Sequence, residues 1–148
     1  WAQFGVLAIV PLYLTDQRNL ALAPGAKSSA VGERLRQAQP RQVAGRSVIA
    51  TTDLTTGQRR LAAGGEQALG LPKSDVLIFE LDGGARVIVR PSGTEPKFKA
   101  YLEVVEPVVG GSRSGGTVLR AARRRAGTRL EWMEHEVRAV LAAEAATS

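Results

Sequence analysis

Residues 90–97 read RPSGTEPK and place a fixed positive charge beside a short polar turn. Arg90 is the last residue of an alternating run, so a strand should set the direction of its side chain. Its planar guanidinium can bind two oxygens of a phosphate or carboxylate at once. Pro91 fixes its own φ and favours extended backbone at the arginine, which stiffens the exit from the strand. Arg90 is therefore the first candidate for binding an anion.

The turn that follows supplies hydroxyls and backbone N–H groups. Ser92 and Thr94 flank Gly93, which lacks a Cβ and so permits a turn in which successive N–H groups converge on an anion. Lys97 adds a second positive charge at the rim, whereas Glu95 is expected to bond to the loop or to a nearby base. These residues predict a rigid site for a phosphate group. The residue types alone leave an ordinary strand connection open, because Ser-Gly and Glu-Pro also favour turns.

The rest of the sequence offers no competing chemistry. There is no cysteine, which excludes disulfides and thiolate metal sites, and the single histidine, His135, excludes a cluster of imidazole ligands. His135 lies in a helical pattern without partners, so we do not expect it to be catalytic. No Ser-His-Asp arrangement, P-loop pattern or carboxylate cluster spaced for a metal is present. The sequence therefore predicts no catalytic residue and no metal site.

Two alternating runs must position the segment 90–97. DVLIFELDGGARVIVR, residues 75–90, predicts a β-hairpin, because Asp-Gly favours the positive φ angles of a tight turn. KFKAYLEVV, residues 97–105, predicts the next strand, with Phe98 and the alternate apolar residues up to Val104 on one face. The anion-binding candidates would therefore connect two neighbouring strands.

Weaker patterns complete the predicted fold. They are an edge or bent strand over 6–14, a helix capped by Ser28 or Ser29 that ends before Pro40, a strand over 46–54, an undecided loop over 55–72, a flexible connector over 110–116 and a long helix over 117–146. Together the patterns predict an α+β fold, an antiparallel sheet of four to five strands with helices packed on one face.

The bulk properties are those of one ordinary domain with a basic surface. The chain has 148 residues and a formal net charge of +6, and residues 120–129, RAARRRAGTR, hold five arginines and no acidic residue. Such a run can bind nucleic acid, but a solvated helix face is the more frequent explanation, and no aromatic residues interleave with the arginines. No apolar stretch is long enough to span a membrane. We therefore expect neither a membrane nor a nucleic-acid partner.

GGARVIVRPSGTEPKFKAYLEVVEP, residues 83–107, resembles the C-terminal domain of the α-D-phosphohexomutases, the phosphoglucomutase and phosphomannomutase family. The resemblance is dense over residues 73–107 and rests on an arginine at a strand end followed by Pro-Ser-Gly-Thr-Glu-Pro. It implies a cytoplasmic intramolecular phosphotransferase, which interconverts hexose 1-phosphate and hexose 6-phosphate through a bisphosphate intermediate that reorients while bound.

In the family this segment belongs to the fourth of four domains and holds the phosphate that is not reacting. By that resemblance Arg90, Ser92, Gly93, Thr94 and Lys97 would be the phosphate contacts. The first domain would carry a phosphoserine, the second an Mg²⁺ loop and the third the recognition of sugar hydroxyls. Mg²⁺ and a hexose 1,6-bisphosphate activator are therefore implied for the full-length enzyme, with no cofactor bound by this chain.

The sequence also departs from the family, since it contains neither a Ser-His loop for a phosphoserine nor an Asp-Gly-Asp metal loop. We therefore expect residues 11–148 to form the phosphate-clamp domain, residues 1–10 to be the tail of a preceding domain, and the chain by itself not to turn over substrate. Its expected partners are a phosphosugar and the other domains of the mutase. Two alternatives stay open: a non-catalytic interaction domain, and a basic nucleic-acid-binding module that uses residues 120–129.

Overall fold

The computed structural model describes residues 8–110 and 115–147, which form one antiparallel sheet and two helices. The elements in chain order are β1 (Ala8–Ala21), α1 (Ser28–Gln37), β2 (Gln42–Val43), β3 (Arg46–Asp53), β4 (Gln58–Leu61), β5 (Glu66–Ala68), β6 (Leu77–Leu81), a short 3₁₀ turn (Asp82–Gly84), β7 (Arg86–Pro91), β8 (Lys97–Gly110) and α2 (Gly115–Ala146).

The sheet has the strand order β1-β8-β7-β6-β3-β4-β5, and β2 pairs with β3 beside this path. Every pair is antiparallel, which confirms the α+β class. The sheet has eight strands rather than four to five. Most of the difference lies in residues 55–72, where the undecided loop contains the hairpin of β4 and β5. Those strands are short, exposed and polar, so they lack the alternation that marks a half-buried strand.

Alternation of side chains places the core on one face of the sheet. Phe98 and the alternate residues up to Val104 in β8 are buried, as predicted, and so are Val87 and Val89 in β7. Both helices cover this face: Val31 of α1 and five residues of α2, from Ala126 to Leu141, belong to the same buried cluster. Phe98 is fully buried, so its truncation to alanine would cost about 3–5 kcal/mol.

The predicted helices are present, with one correction at a cap. The residue at the N-cap of α1 is Lys27, not Ser28 or Ser29, and no side chain caps this helix end. Helix α2 runs without interruption past Gly127, in the middle of the predicted helix. No helix in the described part of the chain is both long enough and apolar enough to cross a membrane.

The strand predictions hold at three further places. β1 lies at an edge of the sheet and continues to Ala21, beyond the predicted end at residue 14. β3 matches the predicted strand 46–54. The hairpin of β6 and β7 turns at Gly83 and Gly84, whose φ angles are 80° and 81°. Residues 1–7 of the predicted tail 1–10 and residues 111–114 of the predicted connector lie outside the described residues, whereas residues 8–10 begin β1.

A bidentate ion pair joins β4 and β6 on the sheet face opposite the helices. Arg59 Nε and Nη2 donate to the two carboxylate oxygens of Glu80 at 2.7 and 2.8 Å. These hydrogen bonds, with a smaller effect of Arg86, hold the pKa of Glu80 below its ordinary value. The folded state therefore binds this proton less tightly than the unfolded state does.

Because of that lowered pKa, the pair stabilises the fold at neutral pH, and its contribution is lost as the pH falls through the lowered value. We expect Glu80→Gln to reduce the free energy of unfolding at pH 7 by about 1 kcal/mol. We also expect the variant to lose less stability than the wild type on acidification below about pH 5. Thermal unfolding across pH measures both effects, with the exposed Glu131→Gln as control. Parallel pH profiles for Glu80→Gln and the wild type would contradict the prediction.

Candidate functional site

Residues 92–96 connect β7 to β8 and are held at their base by three backbone hydrogen bonds. Ser92 N–H donates to the Lys97 carbonyl at 2.9 Å, Lys97 N–H donates to the Glu95 carbonyl at 2.7 Å, and Leu22 N–H donates to the Pro96 carbonyl at 2.7 Å. The last bond ties the loop to the chain that leaves β1. The loop is therefore closed at its base while its tip, Gly93 to Glu95, stays exposed.

The start of α1 faces this loop across a hollow of about 370 Å³, lined by residues 25–29 and 92–96. The buried Ser28 joins the two sides, because its hydroxyl donates to the Ser92 carbonyl at 2.6 Å. Lys27 and Ser29 lie on the helix side, and both are exposed. We call this space the loop hollow.

The groups that face the loop hollow include unpaired hydrogen-bond donors. None of the hydrogen bonds described for the loop uses the N–H of Gly93, Thr94 or Glu95. The first turn of α1 has no acidic residue and no side-chain cap, so the N–H groups of Ser28 and Ser29 also remain without an acceptor among the described residues. Free N–H groups and the positive end of the helix dipole both favour an anion. The hollow is therefore suited to binding a small anion such as phosphate.

Gly93 differs from the prediction in its backbone. We expected the freedom of glycine to permit the turn in which N–H groups converge, but Gly93 is not among the glycines with positive φ. A Cβ built at this position would meet nothing within 4 Å. The backbone therefore does not require glycine here. The missing side chain leaves open space beside the donors instead.

The structure brings three of the five predicted contact residues together and places the other two apart. Ser92, Gly93 and Thr94 line the loop hollow, whereas Arg90 and Lys97 do not. Lys97 forms an ion pair with Glu95, as expected for that carboxylate.

Arg90 lies on the other face of the sheet from α1. It is exposed, pairs with Lys99 across the strands, and follows the buried Val89. Pro91 points toward the helix, since its Cγ would lie 3.1 Å from a Cβ built at Gly32. Successive side chains in a strand point to opposite faces, so Arg90 must point away.

Sequence reasoning missed the contribution of Lys27, Ser28 and Ser29. These residues were interpreted only as the region of a helix cap, and nothing local shows that a segment 64 positions before Ser92 meets it. A usable signal was present, since a helix start with a lysine, two hydroxyls and no acid is typical of an anion-facing terminus.

Two arginines of the basic segment 120–129 on α2 form ion pairs with the sheet. Arg125 and Arg129 lie 2.6 and 2.7 Å from the two carboxylate oxygens of Glu106, a residue of β8 that is only 3% exposed. These ion pairs fix the helix to the sheet, which favours the interpretation of the run as a helix surface. His135 is exposed on the same helix. The described residues contain no group of three or more His, Cys, Asp or Glu side chains that could hold a metal ion.

Comparison with known proteins gives one family match and several relatives. Residues 50–108 match the family described as "Phosphoglucomutase/phosphomannomutase, C-terminal domain". A probable phosphomannomutase of Haemophilus influenzae is 32% identical over 91 residues, which are 62% of this chain and 16% of that protein. A phosphoglucomutase of Staphylococcus haemolyticus is 38% identical over 77 residues, which are 51% of this chain and 14% of that protein.

A phosphoglucomutase of Staphylococcus epidermidis gives a similar match, 34% identical over 80 residues, which are 53% of this chain and 14% of that protein. The chain thus spans only 14–16% of the length of these relatives. The matched region contains β6, β7, the loop 92–96 and most of β8. Residues 50–108 of this chain are therefore similar to the C-terminal domain of the phosphoglucomutases and phosphomannomutases.

Proposed function

We propose that the loop hollow binds the phosphate group of a phosphosugar and acts as the phosphate clamp of a mutase. One observation carries this proposal: Ser92, Gly93 and Thr94 face the uncapped start of α1 across a hollow of about 370 Å³. The donors on both sides are hydroxyls and free N–H groups, which suit phosphate oxygens. The printed names of the relatives, phosphomannomutase and phosphoglucomutase, support a sugar phosphate as the ligand.

The donor set also suits the reaction of such an enzyme. A mutase that works through a bisphosphate must hold a phosphate attached to either end of the sugar while the other end reacts. Donors that bind only phosphate oxygens can accept both orientations. Binding energy from the idle phosphate then orients the reacting end, so that positioning lowers the barrier. In this proposal the clamp contributes orientation, and no proton or phosphoryl group moves on the described residues.

The remaining parts of the reaction are assigned to segments of the enzyme other than the loop hollow. A phosphoserine would donate the phosphoryl group, Mg²⁺ would assist its transfer, and a hexose 1,6-bisphosphate would act as activator. We further propose that this chain by itself does not turn over substrate and works with the other domains of a mutase. Phosphate binding can be tested directly on this chain alone.

Arg90 is assigned a supporting role in the clamp. Its side chain is exposed, and no hydrogen bond or ion pair of its guanidinium is present among the described residues. It lies in β7 only two positions before Ser92, so a ligand that projects beyond the loop could meet it. We expect Arg90→Ala to weaken the binding of glucose 1-phosphate about tenfold, and Arg90→Lys to weaken it less, because lysine keeps the charge but loses the bidentate geometry.

Titration of the ¹⁵N-labelled chain with glucose 1-phosphate tests the proposal. The backbone amide signals of Ser28, Ser29, Gly93 and Thr94 are expected to shift, and unphosphorylated glucose should leave them unchanged. Arg123→Gln serves as a matched control for the Arg90 variants, since Arg123 is an exposed arginine on α2. Equal affinities for the wild type, Arg90→Ala and Arg90→Lys would remove Arg90 from the clamp. Unmoved signals at both sides of the loop hollow would reject the clamp itself.

A further inference from the structure

A second hollow lies at the other end of α1, between the segment that follows this helix and the hairpin of β4 and β5. Its volume is about 490 Å³. Gln39 and Arg41 form one wall, Arg60 and Leu61 form the opposite wall, and Thr51 lies on the floor. We call this space the hairpin hollow. It shares no lining residue with the loop hollow, and the ten-residue α1 separates the two by about 15 Å.

The hairpin hollow exists because the sheet extends further than the helices that cover it. Helix α1 ends at Gln37, and the segment that follows it reaches β3, where Val48 N–H donates to the Arg41 carbonyl at 2.9 Å. The strands β4 and β5 continue the sheet past β3, and Arg60 of β4 is exposed there. Residues 55–72, which the sequence left undecided, therefore supply one wall of a concave site.

Two guanidinium groups give the hairpin hollow a positive character. Arg41 is exposed, and its side chain has no hydrogen bond or ion pair among the described residues. Arg60 donates through Nε to Glu66 at 2.8 Å, but no bond is described for its two terminal nitrogens. Both partners of that ion pair are 56% exposed, so it is weak and can give way to a ligand. An anion between the two walls would meet several N–H donors.

A hydroxyl group also lines this space. Thr51 as a whole is only 5% exposed, and no described residue hydrogen-bonds to its side chain. It lines the hairpin hollow and also a smaller adjoining hollow of about 80 Å³, together with Gln39 and Arg60. A hydroxyl that lines a cavity and has no protein partner can donate to or accept from a ligand.

The charges around the adjoining hollow indicate how a ligand would lie. Asp53 lines that smaller space and is 3.2 Å from Arg36, which also pairs with Asp75. One guanidinium therefore faces two carboxylates at this end, so the adjoining hollow does not attract an anion. Its amide and hydroxyl groups suit neutral polar atoms instead. Of the hairpin hollow and the adjoining hollow together, the part with net positive charge lies between Arg41 and Arg60.

We propose that the hairpin hollow is a second binding site, which takes a small organic phosphate. Its phosphate lies between Arg41 and Arg60, where bidentate guanidinium contacts are favourable. The hydroxyl-bearing part of this ligand lies over Thr51 and Gln39. The volume falls in the range of small-molecule sites and exceeds what inorganic phosphate needs. This inference does not depend on the clamp, because the two hollows have separate residues.

Amide shifts in the labelled full chain, titrated with glucose 6-phosphate, test the second site. We expect shifts at Gln39, Arg41, Thr51 and Arg60. We expect the double variant Arg41→Gln, Arg60→Gln to raise the Kd for these shifts about tenfold or more. Thr51→Val removes the hydroxyl at similar size and should also weaken binding. The double variant Arg123→Gln, Arg124→Gln on the exposed face of α2 makes the same charge change and should leave the Kd unaltered.

The outcomes separate this inference from the clamp. Shifts in residues 39–62 that disappear in the Arg41 and Arg60 variant support it, whether or not residues 92–95 also respond. Shifts confined to residues 28–29 and 92–95 support the clamp alone and overturn the second site. An equal Kd for inorganic phosphate and glucose 6-phosphate at residues 39–62 overturns the assignment to an organic ligand. Equal effects of the two double variants overturn it as well, because net charge would then explain the binding.

Discussion

Gly93→Asp is expected to abolish the binding of phosphate and of glucose 1-phosphate in the loop hollow, with a Kd at least about a hundredfold higher than that of the wild type. A Cβ at this position meets nothing within 4 Å, and the backbone φ of Gly93 is not in the positive range. The fold can therefore accept the new side chain. Its carboxylate would lie beside the N–H groups that the ligand needs, where it repels a dianion and can itself accept their hydrogen bonds.

Gly70→Asp is the matched control for this change. Gly70 is also exposed, is also free of any neighbour within 4 Å, and also lacks a positive φ, but it lies outside the loop hollow. Both variants should unfold at nearly the wild-type temperature, and only Gly93→Asp should lose the amide shifts at residues 28–29 and 92–95 on titration with glucose 1-phosphate. Unchanged affinity in Gly93→Asp would show that the loop does not bind the phosphate.

Gly45→Ala is expected to lower the free energy of unfolding by about 2–4 kcal/mol, a large effect for the addition of one methyl group. Ala44 and Gly45 form the two-residue turn between β2 and β3, with φ angles of 52° and 64°. Two positive φ angles are typical of a type I′ hairpin turn. The ring of Trp132 covers this turn, and its Cη2 atom would lie 2.7 Å from a Cβ at residue 45. Alanine therefore adds a steric conflict to the cost of the backbone conformation.

Two variants separate the cost of the backbone conformation from the cost of the steric conflict, and chemical denaturation measures both. Gly25 has a φ of 86° and no neighbour within 4 Å, so Gly25→Ala should show the backbone cost alone, about 1–2 kcal/mol. In a Trp132→Ala background, Gly45→Ala should cost no more than Gly25→Ala does, which a double-mutant cycle would record as coupling between the two residues. An equal cost for Gly45→Ala with and without the indole would contradict the proposed contact.

Local sequence predicted the parts of the fold in which one face of an element is buried. β8, the hairpin of β6 and β7, and helix α2 each carry a regular hydrophobic pattern. The hairpin and α2 were predicted close to their observed bounds, whereas β8 continues to Gly110, beyond its predicted end at residue 105. The hairpin of β4 and β5 was not predictable in this way. Its residues are partly or fully exposed, so no pattern of burial marks them as strands.

The candidate site also combines local features, which the sequence predicts, with contacts that only the tertiary structure shows. RPSGTEPK by itself was sufficient to predict an anion-binding loop between two strands, because turn chemistry and donor groups are local properties. The tertiary structure decided which residues share the hollow. It added the start of α1, joined to the loop by the bond from Ser28 to Ser92. It also placed Arg90 on the other face, because Pro91 packs toward α1 and successive side chains of a strand alternate. Sequence thus determined the chemistry of the loop, whereas packing between distant segments determined what that loop faces.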